Sequence, residues 1–205
     1  MENLIFTAAG LSAVMLPLLA FFILAKKSGK AVPALWGVLL FGAYGAAVFR
    51  LTGAGTVYDL CRYGLETDFT HINLIPFSQI KSRLDLQGCL LNIAMMIPLG
   101  AMLPLFWPKG AKFLSAAAIG GGFSLLIELS QLMNSRRTDI DDLMCNTLGA
   151  CLGFILCRIV FPKKRLPGRV SEANTRQAAL YLLGMFAGRF LFYDGFGLAK
   201  LLYHF

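Results

Sequence analysis

Five stretches of about 20 mostly apolar residues, separated by charged connectors, constrain this chain more than any other feature. They run from about Leu4 to Ala25, Val32 to Leu51, Gly88 to Trp107, Phe113 to Met133 and Leu143 to Phe161. A helix of about 20 residues rises some 30 Å, the thickness of a bilayer's hydrocarbon core. Inside lipid every backbone N–H and C=O must be satisfied within the protein, so a run of this kind crosses as a helix. The composition agrees, with 57% hydrophobic and 15% charged residues where soluble domains carry about 25% charge. The expected fold is therefore all-α, a polytopic transmembrane helical bundle forming a single membrane domain over residues 1–205. No basic residue precedes the first stretch and it is longer than a signal-peptide core, so it reads as a span.

The region 162–177 is a basic connector, and the last stretch, Ala178 to Phe205, is apolar but interrupted by Arg189, Asp194 and Lys200. That pattern fits either a sixth span or an interfacial helix. Lys and Arg then orient the bundle. The first, third and fifth connectors hold ten basic residues, from Lys26 to Arg176. The second and fourth hold five, Arg62, Lys81, Arg83, Arg136 and Arg137, diluted by seven carboxylates. The positive-inside rule places the odd connectors in the cytoplasm and the N-terminus outside. The net charge of +8 thus has a topological account, and no basic run interleaved with aromatics points to nucleic acid.

Cys61, Cys89, Cys145, Cys151 and Cys157 show no metal-ligand spacing, and four of them lie in or beside apolar segments, where a cysteine acts as a small hydrophobe. The expectation is no structural disulfide. His71 and His204 make no ligand pattern, and Met95, Met96 and the phenylalanines read as packing or lipid-facing residues, so no cofactor is implied.

One stretch breaks the apolar pattern. Ile127 to Gly153 reads IELSQLMNSRRTDIDDLMCNTLGACLG and carries Glu128, Gln131, Arg136, Arg137, Asp139, Asp141, Asp142 and Asn146. Charged groups at membrane depth are costly and persist where they pair, line a cavity or carry function. Glu128 and Gln131 lie near the end of one span, Asn146 near the start of the next, and Asn92 near the start of the third. At about 1.5 Å per residue all four fall within roughly 8 Å of one membrane surface, whichever way the bundle is oriented. Glu128 and Gln131 share a helix face, as do Asp139, Asp142 and Asn146. Thr138 or Asp139 can cap the following helix, Gly149 and Gly153 have the spacing of close helix packing, and Arg136 or Arg137 is placed to pair with Glu128 or the aspartates. The bland account is a capped, salt-bridged hairpin whose polar groups only fix packing. Glu128 argues for function, since packing rarely needs an ionisable group, and it is expected inside the bundle and not facing lipid.

Four runs in order carry a resemblance. NLIPF (Asn73, Pro76, Phe77), NIAMMIPLG (Asn92, Pro98, Gly100), IELSQ (Glu128, Gln131) and RRTDIDDLMCNTLG (Arg136, Asp139, Asp142, Asn146, Gly149) together resemble the VanZ-like family. The likeness covers about residues 73–153, with no departure inside it. It implies a multi-pass protein of the bacterial plasma membrane and, because the founding member is associated with low-level teicoplanin resistance, a cell-envelope context. In NLIPF, Asn73 and Pro76 read either as a turn before the third span or, for Asn73, as a ligand contact. Pro98 reads as a kink.

Two functional classes follow. The first is a non-enzymatic protein that binds or shields an amphiphilic envelope component in an outward polar cluster of Asn73, Asn92, Glu128, Gln131, Arg136, Asp139, Asp142 and Asn146. Its partners would be membrane lipid, a lipid-linked cell-wall precursor or a lipoglycopeptide. The second is an intramembrane enzyme acting on a phosphate-bearing lipid, with Asp139 and Asp142 holding Mg²⁺, Arg136 on the phosphate and Glu128 as general base.

Overall fold

The computed structural model of the chain describes residues 2–63, 72–76, 83–134, 138–162 and 173–193. It is a helical bundle. The elements in order are α1 (Glu2–Lys27), α2 (Leu35–Thr52), α3 (Val57–Tyr63), β1 (Ile72–Asn73), α4 (Arg83–Phe106), α5 (Phe113–Gln131), β2 (Thr138–Asp139), α6 (Ile140–Val160) and α7 (Thr175–Phe192). Five helices, α1, α2, α4, α5 and α6, are long and apolar enough to cross a membrane, matching the five expected stretches. Their lipid-facing positions stay apolar and exposed, as at Leu16, Leu91, Leu114 and Ile159.

The termini of these helices follow local chemistry. Asp139 caps α6, its side chain accepting from Asp141 N at 2.9 Å, and Asn174 caps α7 by accepting from Arg176 N at 2.9 Å. Gly53 closes α2 with φ +62°, a left-handed turn that only glycine adopts without strain. α4 runs unbroken through Pro98 and Pro104. Tyr44 on α2 donates to Met95 O at 3.0 Å, just before Pro98.

Of the C-terminal stretch the structure describes α7, while residues 194–205 lie outside the described residues. α7 lies antiparallel along α1, with Gly188 against Ala13, Gly184 against Phe21 and Tyr193 against Gly10. It therefore packs lengthwise on the bundle, although it is not among the five helices long and apolar enough to cross a membrane. Its Arg189 stacks over the Tyr193 ring, 3.3 Å from the centroid. This is how a less apolar helix keeps a guanidinium near its end.

Connectors segregate to two ends. At one, Lys109 N donates to Ala173 O, Thr175 N to Lys109 O (2.9 Å) and Gln177 Nε2 to Ala31 O (2.8 Å), joining the first, third and fifth connectors. We call this the basic end. Above it Trp107 is fully buried and meets Phe41, Phe106 and Tyr181 edge to face. At the other, acidic end, Asn134 Nδ2 donates to Gly53 O (2.8 Å) and Gly55 N to Ser130 Oγ (3.0 Å). There β1 and β2 form a two-residue parallel ladder, Ile72 opposite Thr138 and Asn73 opposite Asp139.

Among the described residues, the closest helix packing joins α4 and α6, which run parallel. A Cβ on Gly149 would run into the Ile93 carbonyl, and one on Gly153 into the Ile97 carbonyl. The expectation of no structural disulfide is overturned on this seam. Cys89 and Cys145 are bonded, with Cα atoms 5.5 Å apart and 56 positions apart in sequence. The pairs Ile93–Gly149 and Ile97–Gly153 have that same offset, so the disulfide is the outermost rung of the glycine ladder. Two helices held this close bring facing cysteines within bonding range, which apolar surroundings alone do not reveal. Cys151 and Cys157 are buried free thiols, and Cys61 is exposed.

Candidate functional site

The polar layer expected near one membrane surface exists, and it encloses space. A cavity of about 400 Å³ at the acidic end is lined by Leu51, Thr52, Asn92, Glu128, Gln131, Asp142 and Asn146. That volume lies within the usual range for small-ligand pockets. Four helices build it, because α2 and α5 end where α4 and α6 begin. Small residues set its walls. Gly120 packs on Ala150, and Gly121 on Thr147, which draws α5 onto α6 and aims Glu128 and Asn146 inward.

Glu128, Gln131 and Asn146 are buried, Thr52, Asn92 and Asp142 are half-buried, Leu51 is exposed, and the polar groups are largely tied to one another. Glu128 is 5% exposed, as expected of a carboxyl turned inside the bundle. Glu128 Oε2 accepts from Asp139 N at 3.1 Å, and Glu128 O accepts from Thr138 Oγ1 at 3.2 Å. Asn92 Nδ2 donates to Asp142 Oδ1 at 2.6 Å, linking α4 to α6. Asn146 Nδ2 donates to Ser124 Oγ at 2.9 Å, linking α6 to α5. Gln131 Nε2 donates to Thr52 O at 2.9 Å, linking α5 to α2.

Of the eight candidates, Asn92, Glu128, Gln131, Asp142 and Asn146 line the cavity. Asn73 and Asp139 are not among its lining residues, and Asp139 connects to it through the bond from its N–H to Glu128 Oε2. Asn73 Nδ2 donates to Asp139 Oδ1 at 2.9 Å, while Asn73 Oδ1 accepts from Ile75 N at 3.2 Å, so the described residues 73–76 of the NLIPF run make a turn. Asp139 Oδ1 serves both the α6 cap and Asn73. Among the described residues no group of three or more His, Cys, Asp and Glu is placed to hold a metal ion. Arg136 and Arg137, the expected partners of Glu128, lie outside the described residues.

Sequence reasoning missed Ser124, Thr52 and Leu51. Ser124 was within reach: Ser124, Glu128 and Gln131 fall at i, i+4 and i+7, one face of α5. Thr52 and Leu51 carry no such signal, since they enter as the end of an ordinary apolar span.

The dual use of Asp139 yields a prediction. Asp139→Asn keeps an oxygen for Asp141 N and is expected to be nearly silent, whereas Asp139→Ala should cost about 0.5–2 kcal/mol. Thermal unfolding in detergent reads the difference. Equal losses for the two variants would mean that the carboxylate charge, not capping, is what matters there.

No curated protein and no solved structure matches this chain significantly. A family model described as VanZ/LLP1 matches residues 35–161, which begins at α2 and so takes in every residue lining the cavity, while α1 and α7 fall outside it. With well over half its length matched, and with the motif residues Asn92, Glu128, Gln131, Asp142 and Asn146 gathered around one cavity, the chain belongs to the VanZ/LLP1 family.

Proposed function

We propose that this protein binds or shields an amphiphilic component of the bacterial cell envelope, a lipid-linked wall precursor or a lipoglycopeptide, in the cavity at its acidic end. The observation that carries this reading is a polar cavity among apolar helices of membrane-spanning length, within about two and a half turns of the ends of the helices that form it. An amphiphile suits such a place because its tail stays in lipid while its polar group enters the protein. The acidic end faces outside in this reading, with the N-terminus on the same side. Two independent arguments support that orientation. Basic residues favour the cytoplasmic side, and the Cys89–Cys145 disulfide lies at the acidic end, where an oxidising exterior would maintain it.

Expression in a teicoplanin-susceptible bacterium tests the function. The parent is expected to raise the inhibitory concentration of teicoplanin but not that of a glycopeptide without an acyl tail. Asn146→Leu, which fills the cavity and removes its amide, should erase the protection at unchanged protein level. Full protection by Asn146→Leu would remove the cavity from the function.

Orientation has its own test. Cys61 is exposed at the acidic end and should react in intact cells with a membrane-impermeant thiol reagent. Ser28→Cys, at the basic end of a Cys61→Ser background, should react only after permeabilisation. The reverse pattern would invert the bundle.

A further inference from the structure

The cavity's polar lining is one-sided. Its amide nitrogens are engaged within the protein: Asn92 Nδ2 with Asp142, Gln131 Nε2 with Thr52 O and Asn146 Nδ2 with Ser124 Oγ. The Thr52 hydroxyl is turned back to Val48 O at 2.9 Å. The oxygens of two of those amides have no partner. Gln131 Oε1 and Asn146 Oδ1 are buried without a hydrogen bond, in side chains 8% and 2% exposed. With the carboxyl groups of Glu128 and Asp142 they make four acceptor-bearing groups on two helices around one space.

Buried acceptors are nearly always satisfied, so two in one cavity, beside two carboxyl groups, call for a ligand rich in N–H or O–H donors. Charge narrows the choice. Carboxyl groups at membrane depth favour a cation over a neutral polyol, and a phosphate would meet only acceptors among the described lining residues. A calcium ion takes six to eight oxygens, usually from several carboxylates, whereas a primary ammonium brings one positive charge and three N–H donors, one for each of the two unpartnered amide oxygens and a third for the carboxyl groups. Resting on the amphiphile reading above, we propose that the cavity takes the primary ammonium group of an amphiphile, held by Glu128, Asp142 and the amide oxygens of Gln131 and Asn146.

Phosphatidylethanolamine and phosphatidylcholine of identical acyl chains separate this proposal cleanly, since they differ only in whether the ammonium carries N–H donors. Thermal unfolding of the purified protein in detergent is followed as each lipid is added, with phosphatidylglycerol, free ethanolamine and Ca²⁺ as further arms. Phosphatidylethanolamine is expected to raise the melting temperature and phosphatidylcholine to leave it unchanged. Asp142→Asn, which keeps shape and removes charge, should weaken the phosphatidylethanolamine effect by about tenfold in lipid concentration, the worth of one charge-assisted hydrogen bond. Glu128→Gln should do the same, so the conclusion does not hang on one variant folding. Equal stabilisation by phosphatidylcholine or phosphatidylglycerol, lost in Asp142→Asn, would overturn the ammonium and leave the amphiphile reading standing. Stabilisation by ethanolamine alone at equal concentration would support the ammonium and overturn a lipid source. A response to Ca²⁺ only would make this a metal site and overturn the proposal, and silence from every arm would also overturn it, while the amphiphile reading stands or falls with the teicoplanin test.

Discussion

Gly153→Leu is expected to leave no stably folded protein in detergent, while Gly122→Ala raises thermal stability. Both glycines lie inside helices, and the opposite signs come from what each faces. A Cβ at Gly153 would strike the Ile97 carbonyl, a backbone atom that cannot swing aside as a side chain would. α4 and α6 would have to part along a seam that also holds Gly149 and the disulfide. Overpacking of this kind costs about 1–3 kcal/mol for modest additions, and a leucine adds four carbons against backbone. That approaches the whole margin of a typical fold. Around Gly122 there is open space, and there alanine removes glycine's conformational cost, a gain of about 0.5–1 kcal/mol. Melting temperatures read both, and a non-reducing gel adds a second readout, because parting the helices should also lower the yield of the Cys89–Cys145 bond. A parent-like melting temperature for Gly153→Leu would mean that the α4–α6 seam is not as close as described.

How much of this was legible beforehand depends on whether the physics is local. The spans were, since a run of about 20 apolar residues has one fate in lipid. So was the cap at Asp139, which needs only its own carboxyl and the N–H two residues on. The depth of the polar layer followed from segment ends alone, and Glu128, Gln131, Asn92 and Asn146 duly meet at one cavity. The pairing of helices was not legible. Nothing in a sequence says that α4 lies parallel to α6, so Cys89 and Cys145 looked like two unrelated small hydrophobes. The partnership of Asn73 with Asp139 was hidden for the same reason, as it depends on a ladder between residues 66 positions apart. The C-terminal stretch was ambiguous because Arg189, Asp194 and Lys200 interrupt its apolar run, and the packing of α7 along α1 depends on contacts between distant parts of the chain.

The double change Cys89→Ala, Cys145→Ala is expected to cost about 2–4 kcal/mol and to loosen the cavity. The bond closes a 56-residue separation, for which loop-closure entropy alone gives about 4 kcal/mol. In a bilayer or detergent the upper value is an excess, because the unfolded chain keeps much of its helix and has less freedom to lose. The closed loop contains Asn92, Glu128, Gln131 and Asp142, and Asn146 is the next residue beyond it. Opening it therefore releases the outer ends of the helices that carry the lining, while the glycine contacts at Gly149 and Gly153 continue to hold the rest of the seam. The loss should accordingly be uneven: protection from exchange should fall most at residues 89–93 and 142–146 and least near Gly153, as read by hydrogen exchange of the purified protein. A reductant should bring the parent to the melting temperature of the double variant and leave that variant unmoved. Parent and variant melting together without reductant would show that the helices, not the bond, hold the acidic end closed.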